Sequence, residues 1–228
     1  MSETVKVVLG KNVREKNNQI ADALRRDLAE TGITIVDIVG SIGAGKTSLL
    51  EEMARRSNPK SAMLVINGDL TTSIDADRIK AHGVETFQIN TGKGCHLNAI
   101  QIEKVLKGLD TSGLKVVFVE NVGNLICPAD WDVGAHWRIV VTSISEGPYV
   151  VQKHPLVFKL ARFSIMNKAD LIGPMEIDPQ ELKKDALALN PALKVFFTSV
   201  KTGEGLDLAF QELAANIGET RLFQTTRP

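Results

Sequence analysis

Gly40-Ser41-Ile42-Gly43-Ala44-Gly45-Lys46-Thr47 is the stretch that decides the fold. Its spacing is Gly, four residues, Gly, Lys and then Ser or Thr, the pattern of a phosphate-binding loop. Glycines let successive backbone N–H groups turn inward around a phosphate. Lys46 brings positive charge to the β- and γ-phosphates, and the Thr47 hydroxyl is placed for Mg2+. An apolar run at 33–39 precedes the loop, and a helix-forming run that opens with Thr47 and Ser48 follows it. That helix aims the positive end of its dipole at the anion. Without this context the match could be a chance glycine-rich turn. With it, strand, loop and helix read as one phosphate site.

Working outward, short runs rich in Val, Ile and Phe fall at 33–39, 62–67, 84–89, 114–120, 138–143, 163–167 and 195–198. Such runs suit strands buried on both faces of a parallel sheet. Helical stretches fall between most of them, at 46–57, 74–82, 96–108, 155–162, 178–190 and 205–217. The alternation predicts an α/β fold of the P-loop NTPase class, a mostly parallel sheet with helices on both faces. Ligands in such folds sit at the carboxyl ends of the strands. Upstream, 12–31 reads as one helix with Ile20, Leu24 and Leu28 on one face and Gly32 as its stop. The expected organisation is a helical extension at 1–32, the P-loop domain with a metal site at 33–218, and a loose polar tail at 219–228.

Composition bounds the function. The 228 residues are 43% hydrophobic and 24% charged, with a formal net charge of zero. That fits one α/β domain with additions and argues against a broad nucleic-acid or anionic-membrane surface, which would reward excess Lys and Arg. No apolar run reaches the roughly 18 residues of a membrane span, and the N-terminus lacks the shape of a signal peptide. The expectation is a cytoplasmic protein with neither nucleic acid nor membrane as partner. Its two cysteines, Cys95 and Cys127, should be reduced thiols.

Asn167-Lys168-Ala169-Asp170 follows the sixth strand run and matches the Asn-Lys-x-Asp pattern of GTPases. Guanine offers a ring N1–H and an exocyclic amine side by side. The Asp170 carboxylate can accept from both, which adenine cannot match, and unpaired buried polar groups penalise the wrong base. The Lys168 stem can lie along the base, and Asn167 would tie this loop to the phosphate loop. Ser199-Val200-Lys201, after the last strand run, resembles the loop whose backbone N–H reads guanine O6. By itself Asn-Lys-Ala-Asp could be a capping loop. Its order behind the phosphate loop, with the third loop after it, favours GTP and GDP.

Glu120 ends the fourth strand run and opens Glu120-Asn121-Val122-Gly123, a variant of the Asp-x-x-Gly motif with Glu for Asp. Glu120 is a candidate Mg2+ partner, and Gly123 can give its N–H to the γ-phosphate. Asp69 and Asp75 lie where a first switch segment would fall and are further candidates for Mg2+, although Asp75 also suits a helix cap. Lys46, Thr47, Glu120 and Asp75 form the expected catalytic set. No residue clearly orients the attacking water.

Cys95 and His96 are adjacent in Thr91-Gly92-Lys93-Gly94-Cys95-His96-Leu97, and Cys127 lies seven residues past Glu120. Thiolate and imidazole suit Zn2+ or Ni2+, and a helix start there would lower the thiol pKa. Spacing alone also fits two buried thiols and a capping histidine. Three ligands are few for a closed site, and a symmetric dimer would supply more. His82 reads as a helix C-cap, His136 and His154 as surface residues, Trp131 and Trp137 as turn packing, and Arg25-Arg26 as a solvated helix face.

Taken together these motifs resemble the HypB family, accessory GTPases of nickel-iron hydrogenase maturation. The likeness spans nearly the whole chain: the opening helix, 40–47, 90–97, 120–128, Ser145-Glu146-Gly147 and 167–170. The resemblance implies GTP hydrolysis that assists nickel insertion, and with no clear water-orienting residue and no assigned arginine finger slow intrinsic turnover is expected. It implies nickel or zinc on Cys95, His96 and Cys127 at the interface of a homodimer promoted by GTP. It also implies a HypA-type nickel-delivery protein and the hydrogenase large subunit as partners. Some members carry an N-terminal Cys-x-x-Cys-Gly-Cys site or a His-rich tract; this sequence has neither. A urease-type accessory GTPase and a metal scaffold with little turnover stay open as alternatives.

Overall fold

The computed structural model of the chain describes residues 3–69, 73–92, 94 and 96–225. Its strands are β1 (Thr34–Gly40), β2 (Met63–Asp69), β3 (Glu85–Asn90), β4 (Val116–Glu120), β5 (Trp137–Ser143), β6 (Phe163–Asn167) and β7 (Lys194–Phe197). They form one sheet of seven strands in the order β3-β2-β4-β1-β5-β6-β7, and all pairings are parallel. The α/β P-loop class read from the sequence is therefore the fold found. Strand order reverses at β1, which lies between β4 and β5. A crevice must open above its carboxyl end, and that is where the phosphate loop begins.

The helices are α1 (Glu3–Glu30), α2 (Lys46–Arg56), α3 (Ile74–Lys80), α4 (Ala99–Leu106), α5 (Cys127–Asp130), α6 (Val150–Lys153), α7 (Pro155–Leu160), α8 (Pro179–Leu189) and α9 (Leu206–Ile217). Alternation along β1 shows how both sheet faces are used. Val36 and Ile38 pack with Leu49, Leu50 and Met53 of α2 and with Phe210 and Leu213 of α9. Ile35 turns the other way, against Leu24 and Leu28 of α1 and Ile102 of α4. A third cluster joins Val39 and Val140 to Phe158 and Leu182 beneath α6 to α8.

Several expectations need correction. The opening helix starts at Glu3, well before residue 12. The fourth helix starts at Ala99 because Asn98 and Gln101 form a reciprocal capping box, which leaves His96 upstream of the helix. The residue preceding α3 is Ser73, and Asp75 lies within its first turn. The tail is not loose up to residue 224. Leu222 and Phe223 are buried in the main core, Phe223 lies 5.4 Å from the Phe210 ring, and Gln224 N–H donates to Arg56 O at 2.9 Å. A polar average hid two apolar anchors.

Candidate functional site: a nucleotide cleft and a soft-ligand segment

The ends of β1, β2, β4, β6 and β7 surround a cleft of about 750 Å³. Ile42, Gly43, Gly45, Lys46, Thr47 and Ser48 line one side. Gly40, Ser41 and Ala44 lie behind them: a Cβ on Gly40 would meet Val141 O at 2.2 Å, and Ala44 is buried. Gly45 has φ 98°, and a Cβ there would strike Asn167 Nδ2 at 2.3 Å. Glycine is thus required twice over at position 45, by conformation and by space.

Lys46 Nζ donates to Gly40 O at 3.0 Å and Ser41 O at 3.1 Å, and burial pushes its pKa down. Thr47 Oγ1 donates to Glu120 Oε1 at 2.7 Å, and Asn67 Nδ2 donates to Glu120 Oε2 at 2.7 Å. Burial pushes the Glu120 carboxyl up to about 7, against the opposing pull of nearby Lys46. Hydroxyl and carboxylate oxygens converge here, and Asp69 and Asp75 line the same cleft. An oxygen-rich set of this kind fits Mg2+, which takes one or two carboxylates and keeps several waters. Gly123 packs on the phosphate loop: a Cβ there would lie 2.5 Å from the Ile42 side chain.

At the other end of the cleft, Asn167 Nδ2 donates to Ala44 O at 3.1 Å, and its Oδ1 accepts from Val200 N–H at 3.3 Å. One amide therefore joins the phosphate loop, the 167–170 loop and the 199–201 loop. Ser199 Oγ donates to Asp170 Oδ1 at 2.6 Å. Lys168 is left-handed at φ 62°, and Lys168, Asp170, Val200 and Lys201 all face the cleft.

Four contributors had no role in the sequence reading. Glu146 accepts from the Ser41 hydroxyl and, at 2.7 Å, from Ser143 N–H, so it braces the phosphate loop from β5. Asn67 holds Glu120. Arg78 lines the cleft and pairs with Glu51 at 2.6 Å and Asp75 at 3.4 Å. Asn121 accepts from Leu97 N–H at 3.0 Å and donates to the buried Asp37 at 3.1 Å. Only Glu146 and Asn121 stood inside a singled-out motif, and neither motif showed what the side chain would touch.

His96 and Cys127 are not among the residues that line the cleft. His96 stacks on Trp131, with ring centroids 4.5 Å apart and planes 18° from parallel, and burial lowers its pKa. Cys127 is a half-buried free thiol that opens α5. Cys95 lies outside the described residues. Among the described residues no three His, Cys, Asp or Glu side chains gather as one ligand group. Thiol and imidazole chemistry still fits nickel or zinc.

The family model for the CobW/HypB/UreG nucleotide-binding domain matches residues 34–197. The probable hydrogenase maturation factor HypB of Methanocaldococcus jannaschii is 37% identical over 213 residues, 93% of this chain and 96% of that one. The chain belongs to the HypB family. Two solved HypB structures agree. That of Archaeoglobus fulgidus has a TM-score of 0.82 at 36% identity, covering 89% of this chain and 99% of its own. That of HypB from Helicobacter pylori in complex with nickel has a TM-score of 0.82 at 33% identity, covering 93% and 99%. This HypB-family chain is thus a hydrogenase maturation factor built on a nucleotide-hydrolysing P-loop fold.

The remaining flagged residues divide. His82 sits past α3, 3.5 Å from Glu51, and His154 sits half-buried between α6 and α7. His136 is half-buried: its Nδ1 accepts from Ile35 N–H at 2.9 Å and its Nε2 is buried. Arg26 is exposed, whereas Arg25 is only partly so, since its guanidinium binds Ala135 O at 2.9 Å and Asp132 at 2.7 Å. Among the described residues no helix is long and apolar enough to cross a membrane.

Proposed function

We propose that this chain is a GTPase that couples its nucleotide state to holding and releasing nickel during maturation of nickel-iron hydrogenase. The observation that carries the guanine assignment is the three-way tie through Asn167. It brings Asp170 and the 199–201 loop to the cleft that holds Lys46 and Thr47. Asp170 accepts from the two guanine donors, the Lys168 stem covers the base, and Val200 and Lys201 border O6. Lys46 and the N–H groups of 43–48 hold the phosphates. Thr47 and Glu120, with Asp69 and Asp75 nearby, would hold Mg2+, which neutralises phosphate charge when bound. Gly123 offers its N–H to the γ-phosphate.

Nickel is the cargo. Cys95, His96 and Cys127 are its ligands in this reading, with zinc as a second occupant. A homodimer formed with GTP supplies the additional ligands that one chain lacks. The solved relative bound to nickel supports this choice. A HypA-type delivery protein, the hydrogenase large subunit and a cytoplasmic setting complete the reading. The 120–123 loop, tied to Thr47 at one end and to Leu97 beyond it, is the segment through which nucleotide and metal sense each other.

Phosphate release from the purified chain tests the enzyme assignment. Turnover with GTP should exceed that with ATP and should disappear in Lys46→Ala, at a slow rate near about 10⁻⁴ to 10⁻³ s⁻¹. Equal turnover with ATP would remove the guanine reading. No release above Lys46→Ala would leave a scaffold.

A further inference from the structure

One buried polar side chain lies outside the nucleotide cleft and bridges both soft-ligand segments. Asn17, on α1, has no exposed surface. Its Nδ2 donates to Asp132 O at 2.8 Å, and its Oδ1 accepts from Ala99 N–H at 2.9 Å. Ala99 is the first residue of α4, three past His96. Asp132 is five past Cys127. A buried amide with a donor and an acceptor on one short fork can satisfy both backbone groups at once. The Ala99 N–H is one of the first-turn donors that a helix leaves without an internal partner.

Neighbours on the same helix reinforce the tie. Arg14 donates to Asp130 O at 2.6 Å, and Arg25 reaches Asp132 and Ala135. Leu24 packs so closely on Gly134 that a Cβ there would lie 2.8 Å from it. Arg14, Asn17, Leu24, Arg25 and Leu28 recur at helical spacing, so one face of α1 is committed to these contacts. The His96 and Trp131 rings, one from each segment, stack on each other.

We infer that α1 is a strap, and that Asn17 is the positioning residue that sets the separation of the His96 and Cys127 segments. This role rests on the nickel reading above. Asn17 touches no metal; it acts through Ala99 and Asp132. Partners one step removed from a metal ligand commonly change affinity by about 10- to 100-fold when lost.

The test uses the full chain as wild type, Asn17→Leu, Arg25→Met and Cys127→Ser. Nickel affinity is read by competition with a chromophoric chelator, amide hydrogen exchange at Ala99 without metal, and GTP turnover as a check on the fold. Asn17→Leu should weaken nickel binding about 10-fold or more and speed Ala99 exchange by at least about 10-fold, with turnover unchanged. Wild-type nickel affinity in Asn17→Leu, while Cys127→Ser loses it, overturns the strap and leaves the nickel reading standing. Wild-type affinity in Cys127→Ser removes the nickel reading, and the strap's metal role with it. Should Asn17→Leu not fold, Arg25→Met cuts the same strap at its half-exposed rim. It should show a smaller loss of the same kind, and unchanged affinity there also overturns the proposal.

Discussion

The nucleotide cleft and the His96–Cys127 region are neighbours held by different means. In the cleft, residues at adjacent strand ends grip one another: Thr47 and Asn67 hold Glu120, Asn167 joins three loops, and Ser199 holds Asp170. The sheet sets these distances, so the site is built before ligand arrives. Among the described residues the soft-ligand segments lie outside the seven strands, and near Cys127 an isolated bridge joins Asn124 to Gly40. They hang from side chains of α1 and from Asn121. A site held by the sheet resists movement, and one held by a few tethers can respond when a tether moves. Asn121 belongs to both regions, because it follows Glu120 and accepts from Leu97 N–H.

Four experiments can break or sharpen this contrast. Lys46→Ala has the largest expected effect: phosphate release should fall by about 10²- to 10³-fold, while nickel affinity of the nucleotide-free chain should not change. A parallel loss of nickel binding would mean the two regions are not separately built. Asp170→Asn replaces an acceptor pair with an amide. GTP affinity should fall by about 10²-fold, as expected for lost hydrogen bonds to a charged group, and calorimetry should show the preference for GTP over ATP reduced. Retained selectivity would place the base elsewhere.

The third experiment is a pH titration of stability without nucleotide or Mg2+. Glu120 has a folded pKa raised to about 7 from the ordinary 4.5 by burial. Between those values the folded state keeps a proton that the unfolded state has lost. Stability contributed by this group is therefore full below about 4.5 and lost as pH rises toward 7, by roughly 3 kcal/mol. Melting curves of wild type and Glu120→Gln at pH 5 and pH 7.5 isolate the effect: wild type should lose more over this range. Parallel losses would show that the carboxyl is not perturbed. The smallest effect is expected from Asn121→Ala. It should leave GTP binding within about fivefold and reduce the nickel response to nucleotide, a coupling of typical size about 5- to 150-fold. An undiminished response would move the link to another contact.

The same contrast governs what the sequence could reveal. Strands and the phosphate loop were legible because their signals are local: a Val- and Ile-rich run, a glycine spacing, a motif at a strand end. Start of α4 was misplaced because a capping box at Asn98 and Gln101 overrode an apparent helix from residue 96. Leu222 and Phe223 were lost in a polar average. Asn17 sits in the polar run Asn17-Asn18-Gln19, and its partners lie 82 and 115 residues away. Arg25 and His136 were misread for the same reason, since their partners at Ala135 and Ile35 lie 110 and 101 residues off. Side chains that serve distant backbone groups leave no local pattern, and the soft-ligand region is held by such side chains.

The most direct test of the account is nickel titration of the wild-type chain in two states, with GDP and with a non-hydrolysable GTP analogue, each with Mg2+. A shared loop between Thr47 and Leu97 requires the two nickel affinities to differ, and the ratio of GTP-analogue to GDP affinity to change with nickel by the same factor. Identical nickel affinities in the two states would contradict it.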